Sequence, residues 1–199
     1  MTTQKLKQNI KISFFHYPYL LKKACIDIVQ FIELHTRFEM YNQYDTHGFY
    51  EQLRWESLVM NYLELQHSYI DKQRKTNSNF TDHTGIDLNQ KREDIIGMPT
   101  IEHQLLSKAR RAIHHKAYSI THFSAVPDKN NKSMPSPDIT WHNIELNSDE
   151  RTYVTENFFN GGDKLSTLFL SHCKMFITTS SKLGNMYLNE ENYKIPQSS

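Results

Sequence analysis

Apolar positions recur at helical spacing in three stretches of this chain. From Pro18 to about Tyr44, Leu21, Cys25, Ile28, Ile32 and Phe38 alternate with Lys22, Lys23, Gln30, Glu33 and Arg37, the pattern of an amphipathic helix. His35 falls at the edge of that stripe, where a satisfied core histidine is expected. Asp45-Thr-His-Gly48 reads as a break. A second helix is predicted from about Phe49 to Lys75, with Trp55, Leu58, Val59, Tyr62, Leu65 and Tyr69 on its buried side. The short connection makes the two antiparallel neighbours. Gly97 and Pro99 lead into a third helix, to about His122, with Leu105, Leu106, Ala109, Ile113 and Ile120 inward.

The remaining segments are more polar or more broken. Residues 1–12 are polar and basic and read as an arm, and residues 76–92 as a loop. Pro127 to Pro137 is rich in Pro, Asn and Ser and predicts a linker. Beyond it, Ile139 to Leu146 fits a short strand. Asn147, with Glu150 three residues on, is an N-cap opening a helix to about Phe159, ended by Gly161-Gly162. Asp163 to Cys173 predicts another short helix. Met175–Thr179 and Met186–Leu188 are β-prone and predict a hairpin around Gly184-Asn185. The fold expected is mainly α, a helical bundle over residues ~14–125 with a small α+β C-terminal appendage. The matching division is a bundle over 1–126, a linker over 127–137 and an α+β unit over 138–199.

Composition adds bounds. The 199 residues suffice for one domain with a real core. Net charge is +1 with histidine neutral, so a nucleic-acid partner would have to be met by a local patch rather than by global charge. No apolar run is long enough to span a bilayer, and no apolar segment with a small-residue cleavage site opens the chain. No membrane partner and a cytoplasmic location are therefore expected. Cys25 and Cys173 sit in apolar helical contexts and predict buried free thiols.

The chemistry concentrates on the third helix. Between His103 and Pro127 the chain carries no acidic residue, while Lys108, Arg110, Arg111, Lys116, His114 and His115 crowd one helix. An arginine and a histidine four apart share a helix face, so Arg110 pairs with His114 and Arg111 with His115. Cleavage of RNA by its own 2′-hydroxyl needs a proton acceptor and a donor, roles imidazole fills near neutrality. It also needs a fixed cation for the charge developing at phosphorus, which guanidinium supplies through two oxygens at once.

Arg110-Arg-Ala-Ile-His-His115 resembles the Arg-x4–6-His signature of HEPN domains, helical bundles that include metal-independent ribonucleases of toxin–antitoxin, abortive-infection and CRISPR systems. The resemblance covers the motif helix and, more loosely, the helical pattern of residues 18–122. It implies Arg110 and His115 as the core catalytic pair with His114 and Arg111 as helpers, an RNA substrate and a homodimer joining two motif helices. Lys108, Arg111, Lys116 and Tyr118 would then bind nucleic acid. Arg111 departs from the small polar residue common after the arginine, and Ala117 stands where one toxin subgroup has tyrosine. Two other readings of the helix stand beside it: a solvated basic face, and a non-enzymatic binding or adaptor surface for nucleic acid or a larger protein machine, as in a phage or mobile-element factor.

Other constellations are thinner. Glu64-Leu-Gln-His67 has the Glu-x-x-His spacing of di-iron bundles, but no second copy follows, and both residues read as a solvated face. His122-Phe-Ser124 is one half of a paired His-x-Ser/Thr phosphoesterase signature. Pro137-Asp138 with Glu145 lacks the lysine of a PD-(D/E)xK nuclease, since Asn147 stands in its place. No Cys/His zinc spacing and no glycine-rich phosphate loop occur, so neither metal nor cofactor is expected.

Overall fold

The computed structural model describes residues 1–37, 47–116, 119–127, 133–158 and 162–193. The fold is mainly α with one small two-stranded sheet. In chain order the helices are α1 (Thr3–Lys11), α2 (Tyr17–Arg37), α3 (His47–Thr84), α4 (Asn89–Ile96), α5 (Ile101–Lys116), α6 (Ser148–Phe158) and α7 (Gly162–Leu188). A π-helical turn, Ile12–His16, joins α1 to α2. Strands β1 (Thr121–Pro127) and β2 (Ser133–Ile139) pair antiparallel between α5 and α6. By contacts the chain forms two compact units, and α2, α3 and α7 each contribute residues to both.

The first unit comprises Met1–Lys22, Leu65–Pro99 and Lys174–Ser199. Its core gathers Leu6, Ile10 and Phe14 with Phe80, Leu88, Leu183 and Tyr187. The expected N-terminal arm is thus a helix. Thr2 caps it, and Leu6, Ile10 and Phe14, four apart, bury one face although Lys5, Lys7 and Lys11 surround them. The loop expected over 76–92 is helical except at residues 85–88. Gln73, Thr76 and Phe80 are buried at helical spacing, so α3 continues to Thr84. It stops at Gly85, whose φ of 70° supplies the left-handed cap and whose N–H donates to the Thr81 carbonyl at 2.8 Å.

Met175–Thr179 and Met186–Leu188 are not a hairpin but part of α7. Phe176, Ser180, Leu183 and Tyr187 lie on one helical stripe, and burying that stripe outweighs local β-propensity. Gly184 is a close-approach residue rather than a turn. A Cβ there would stand 2.5 Å from Phe15 Cε2 and 2.9 Å from Phe14 Cβ. Gly184→Ala is expected to destabilise the protein by roughly 1–3 kcal/mol, as overpacking does, despite alanine's better helix propensity. A higher melting temperature for the variant would mean that the Phe15 ring moves aside freely.

The second unit comprises Lys23–Glu64 and Thr100–Cys173. Cys25, Ile28, Phe31 and Ile32 of α2 are buried, as are Trp55, Val59 and Tyr62 of α3, Leu105, Leu106 and Ala109 of α5, and Leu165, Leu168 and Phe169 of α7. Leu58 is half-buried. The predicted stripes hold, but several boundaries move. Gly48 lies inside α3, Phe38 to Thr46 lie outside the described residues, and α5 ends at Lys116. Ile120 is buried beyond that helix, and His122 is a strand residue. Pro127 and residues 133–137, expected in the linker, are paired strand residues; residues 128–132 lie outside the description. The strand expected over Ile139–Leu146 is reduced to the end of β2 and a 3-10 turn at Trp141–Asn143. Gly162 opens α7 rather than ending α6, and Gly161 lies outside the described residues.

The hairpin is anchored through α3. Gln52 Nε2 donates to the Thr121 carbonyl at 2.7 Å, and the Trp55 indole N–H donates to the Asp138 carbonyl at 3.0 Å. Phe123 of β1 lies against the rings of Phe31 and His35. His35 is a satisfied core histidine: Nδ1 bonds the Phe31 carbonyl at 2.7 Å and Nε2 lies 3.1 Å from Glu51. Cys25 and Cys173 are buried free thiols. The thiol–thiol hydrogen bond with Cys173, together with burial, pushes the Cys25 thiol far above the ordinary range, which makes it a poor nucleophile.

Candidate functional site

Helix α5 begins after Pro99, with the Thr100 hydroxyl accepting from the His103 N–H at 3.3 Å. Leu105, Leu106, Ala109 and Ala112 turn inward. That orientation leaves Arg110 and His114, one turn apart, on a more open face. They meet at a residue the motif does not contain. Glu64 of α3 accepts the Arg110 Nε–H at 3.0 Å and a hydrogen bond from His114 Nε2, both on the single oxygen Oε1. Side-chain exposure is 23% for Arg110, 40% for His114 and 41% for Glu64, so a solute can reach the cluster.

The electrostatics of Glu64 follow from these contacts. Partial burial raises its carboxyl pKa, but the hydrogen bonds and charges of His114 and Arg110 outweigh that and hold it below the ordinary range. A carboxylate can only accept, so His114 Nε2 carries the proton in this contact. Chemically the cluster offers a fixed guanidinium and a transferable imidazole proton directed at one oxygen position.

The other expected site residues are placed differently. The Lys108 ammonium pairs with the Glu150 carboxylate, whose side chain is 1% exposed. Glu150 closes a capping box at the start of α6. Its N–H donates to Asn147 Oδ1 at 2.9 Å, and the Asn147 N–H donates to Glu150 Oε2 at 2.8 Å, as the sequence predicts. Arg111 is exposed. The side chains of His115 and Lys116, and the whole of Tyr118, lie outside the described residues.

Burial raises the Glu150 carboxyl, while Lys108 and the Asn147 N–H lower it by more, so its pKa lies below the ordinary carboxylate value. A folded-state pKa below the unfolded one gives stability that is present above the unfolded value and lost as pH falls through the folded one. The wild type should therefore lose stability on acidification below about pH 4 more steeply than Glu150→Gln. Glu150→Ala should cost roughly 1–3 kcal/mol at neutral pH through the lost cap and the orphaned Lys108. Thermal melts across pH check both; parallel curves for the wild type and Glu150→Gln would count against the ion pair.

A second polar chain lies in the same unit. Tyr62 OH bonds His172 Nδ1 at 2.7 Å, and His172 Nε2 lies 3.2 Å from His103 Nδ1. Burial, with a smaller contribution from His103, pushes His172 down to about 3, and burial also lowers His103. Neutral histidines satisfying one another explain how three polar rings stand in a helical core.

The remaining motifs resolve into pairs. Glu64 and His67 have separate partners, since His67 Nε2 lies 3.4 Å from Asp71. His122 and Asp138 are cross-strand partners, with Nε2 3.8 Å from the carboxylate and Nδ1 2.8 Å from the Thr140 hydroxyl. Among the described residues, no three His, Cys, Asp or Glu side chains gather as a metal site would need, and no helix is long and apolar enough to cross a membrane. Comparisons with family models, curated proteins and solved structures find no match to this chain.

Proposed function

We propose that the chain is a HEPN-like, metal-independent ribonuclease in which Arg110 works with His114, one position short of the Arg-x4-His spacing that Arg110 and His115 meet. The observation that carries this reading is the convergence of Arg110 and His114 on one anionic oxygen. In the proposed reaction a ribose 2′-oxygen attacks the adjacent phosphorus, the bond from phosphorus to the 5′-oxygen breaks, and a 2′,3′-cyclic phosphate and a 5′-hydroxyl result. Arg110 holds a non-bridging oxygen and stabilises the charge that grows there. His114 delivers its Nε2 proton to the departing 5′-oxygen. The 2′-hydroxyl proton goes to a second base, a role that falls to His115, the catalytic histidine implied by the motif resemblance. The same resemblance makes the working form a homodimer of a bacterial or phage conflict system.

The test is incubation of purified protein with end-labelled RNA in EDTA. Products ending in cyclic phosphate support the reading, and intact RNA opposes it. The rival is a helical binding or adaptor module without catalysis. What favours it is the neutralisation of Lys108 by Glu150 and of Arg110 by Glu64, while Arg111 stays exposed. On either reading Arg111→Ala should weaken RNA binding and lower the slope of log K against log salt by about one, if Arg111 contacts a phosphate. An unchanged salt slope would remove Arg111 from the interface.

A further inference from the structure

We propose that the Glu64 carboxylate is a built-in substitute for the substrate phosphate, a plug that an incoming phosphodiester must displace. The inference rests on reading Arg110 and His114 as an oxyanion site. Glu64 takes the Arg110 Nε–H and the His114 Nε2–H together on one oxygen, and so occupies both donors that a phosphodiester would use, Arg110 for a non-bridging oxygen and His114 for the 5′-oxygen. A carboxylate serving only to orient the histidine would bond the imidazole alone. Here the same oxygen also takes the guanidinium.

The plug is displaceable. The Glu64 side chain is 41% exposed and can rotate into water, which frees a guanidinium that is itself 23% exposed for the phosphate to take. An exposed ion pair of this kind is worth at most a factor of about five in an equilibrium constant. A phosphate presents several oxygens to a guanidinium and exceeds a monodentate carboxylate as a ligand for it. Lys108 is held by Glu150, so among the described residues the competition is between Glu64 and the phosphate for Arg110 and His114. The consequence is a resting site with its charge neutralised, which discriminates against weakly held small anions and opens to a polyanion that also engages Arg111.

The test uses the whole chain, with inorganic phosphate followed through the His114 imidazole resonances. A fluorescein-labelled oligodeoxyribonucleotide, uncleavable because it lacks 2′-hydroxyls, is followed by anisotropy. Glu64→Gln, which keeps the acceptor and removes the charge, should bind both probes about 2–5-fold more tightly than wild type. Glu64→Ala should bind at least as tightly as Glu64→Gln, and Arg110→Ala in the Glu64→Gln background should abolish the gain. Thermal melts establish that each variant is folded, and two replacements at one exposed position guard against a folding artefact. Equal or weaker binding by both Glu64 variants overturns the proposal, as does loss of RNA cleavage in Glu64→Gln with affinity unchanged, which would make Glu64 a positioning residue. Tighter binding by the variants with RNA left intact by the wild type sustains the plug and removes the nuclease reading. Cleavage by the wild type without tighter binding by the variants does the reverse.

Discussion

Replacing His114 with alanine is expected to lower single-turnover RNA cleavage by on the order of 10²–10⁴-fold while RNA affinity stays within a factor of about two. The difference arises because imidazole contributes a proton to the leaving oxygen in the transition state and little to the bound ground state. The His114 side chain is two-fifths exposed, so the variant should fold as the wild type does. Arg110 retains Glu64 and keeps its place. His114→Ala therefore separates catalysis from binding more cleanly than a change at Arg110, which would disturb both. An unaltered rate would move the proton transfer to another residue, and an equal fall in affinity would make His114 a contact for RNA.

The largest expected loss of stability belongs to Trp55→Ala, roughly 3–5 kcal/mol as for other buried large-to-small changes. Trp55 is fully buried, lies 5.6 Å from Phe31 in a stacked pair and meets Phe169 edge-on at 6.5 Å. Its N–H also holds the carbonyl of Asp138 in β2. The variant thus leaves a cavity between helices and an unpaired backbone acceptor at the hairpin. Trp55→Phe should recover most of the packing but not the hydrogen bond, and should fall between the two in a denaturant titration. A wild-type midpoint for Trp55→Ala would contradict the packing described here.

How much was legible in the sequence depends on where each residue's partners come from. Ile28, Ile32, Trp55, Tyr62, Leu105 and Ala109 repeat at helical spacing within their own segments, so local periodicity places them inside. Leu6 and Ile10 are only two apolar positions among lysines. What buries them, Phe80, Leu183 and Tyr187, lies far along the chain. The same holds for Thr76 and Phe80, whose neighbours in sequence are mostly polar. The β-branched and aromatic residues of 175–188 point to strands by propensity, yet their buried members keep a helical repeat through Tyr187, and that repeat was the better signal. Pro135 and Pro137 suggested a linker, but the strands pair there as a two-stranded ribbon, where proline is tolerated.

The candidate site divides in the same way. That Arg110 and His114 share a face follows from their spacing. That Lys108 is held by a buried carboxylate, and that Glu64 joins the pair, depends on contacts spanning 42 to 50 residues. No local pattern carries such information. An acid on the polar side of α3 had no more claim than its neighbours Glu56 or Asp71.

The measurement that bears most directly on the central claim is a double-mutant cycle on the cleavage rate, with wild type, Arg110→Ala, His114→Ala and the double variant assayed on one RNA in EDTA. Residues acting as a unit on one phosphate are non-additive. The predicted result is a double variant no slower than about the worse single variant, with every variant far below wild type. A wild type that leaves RNA as intact as the double variant does would contradict the account.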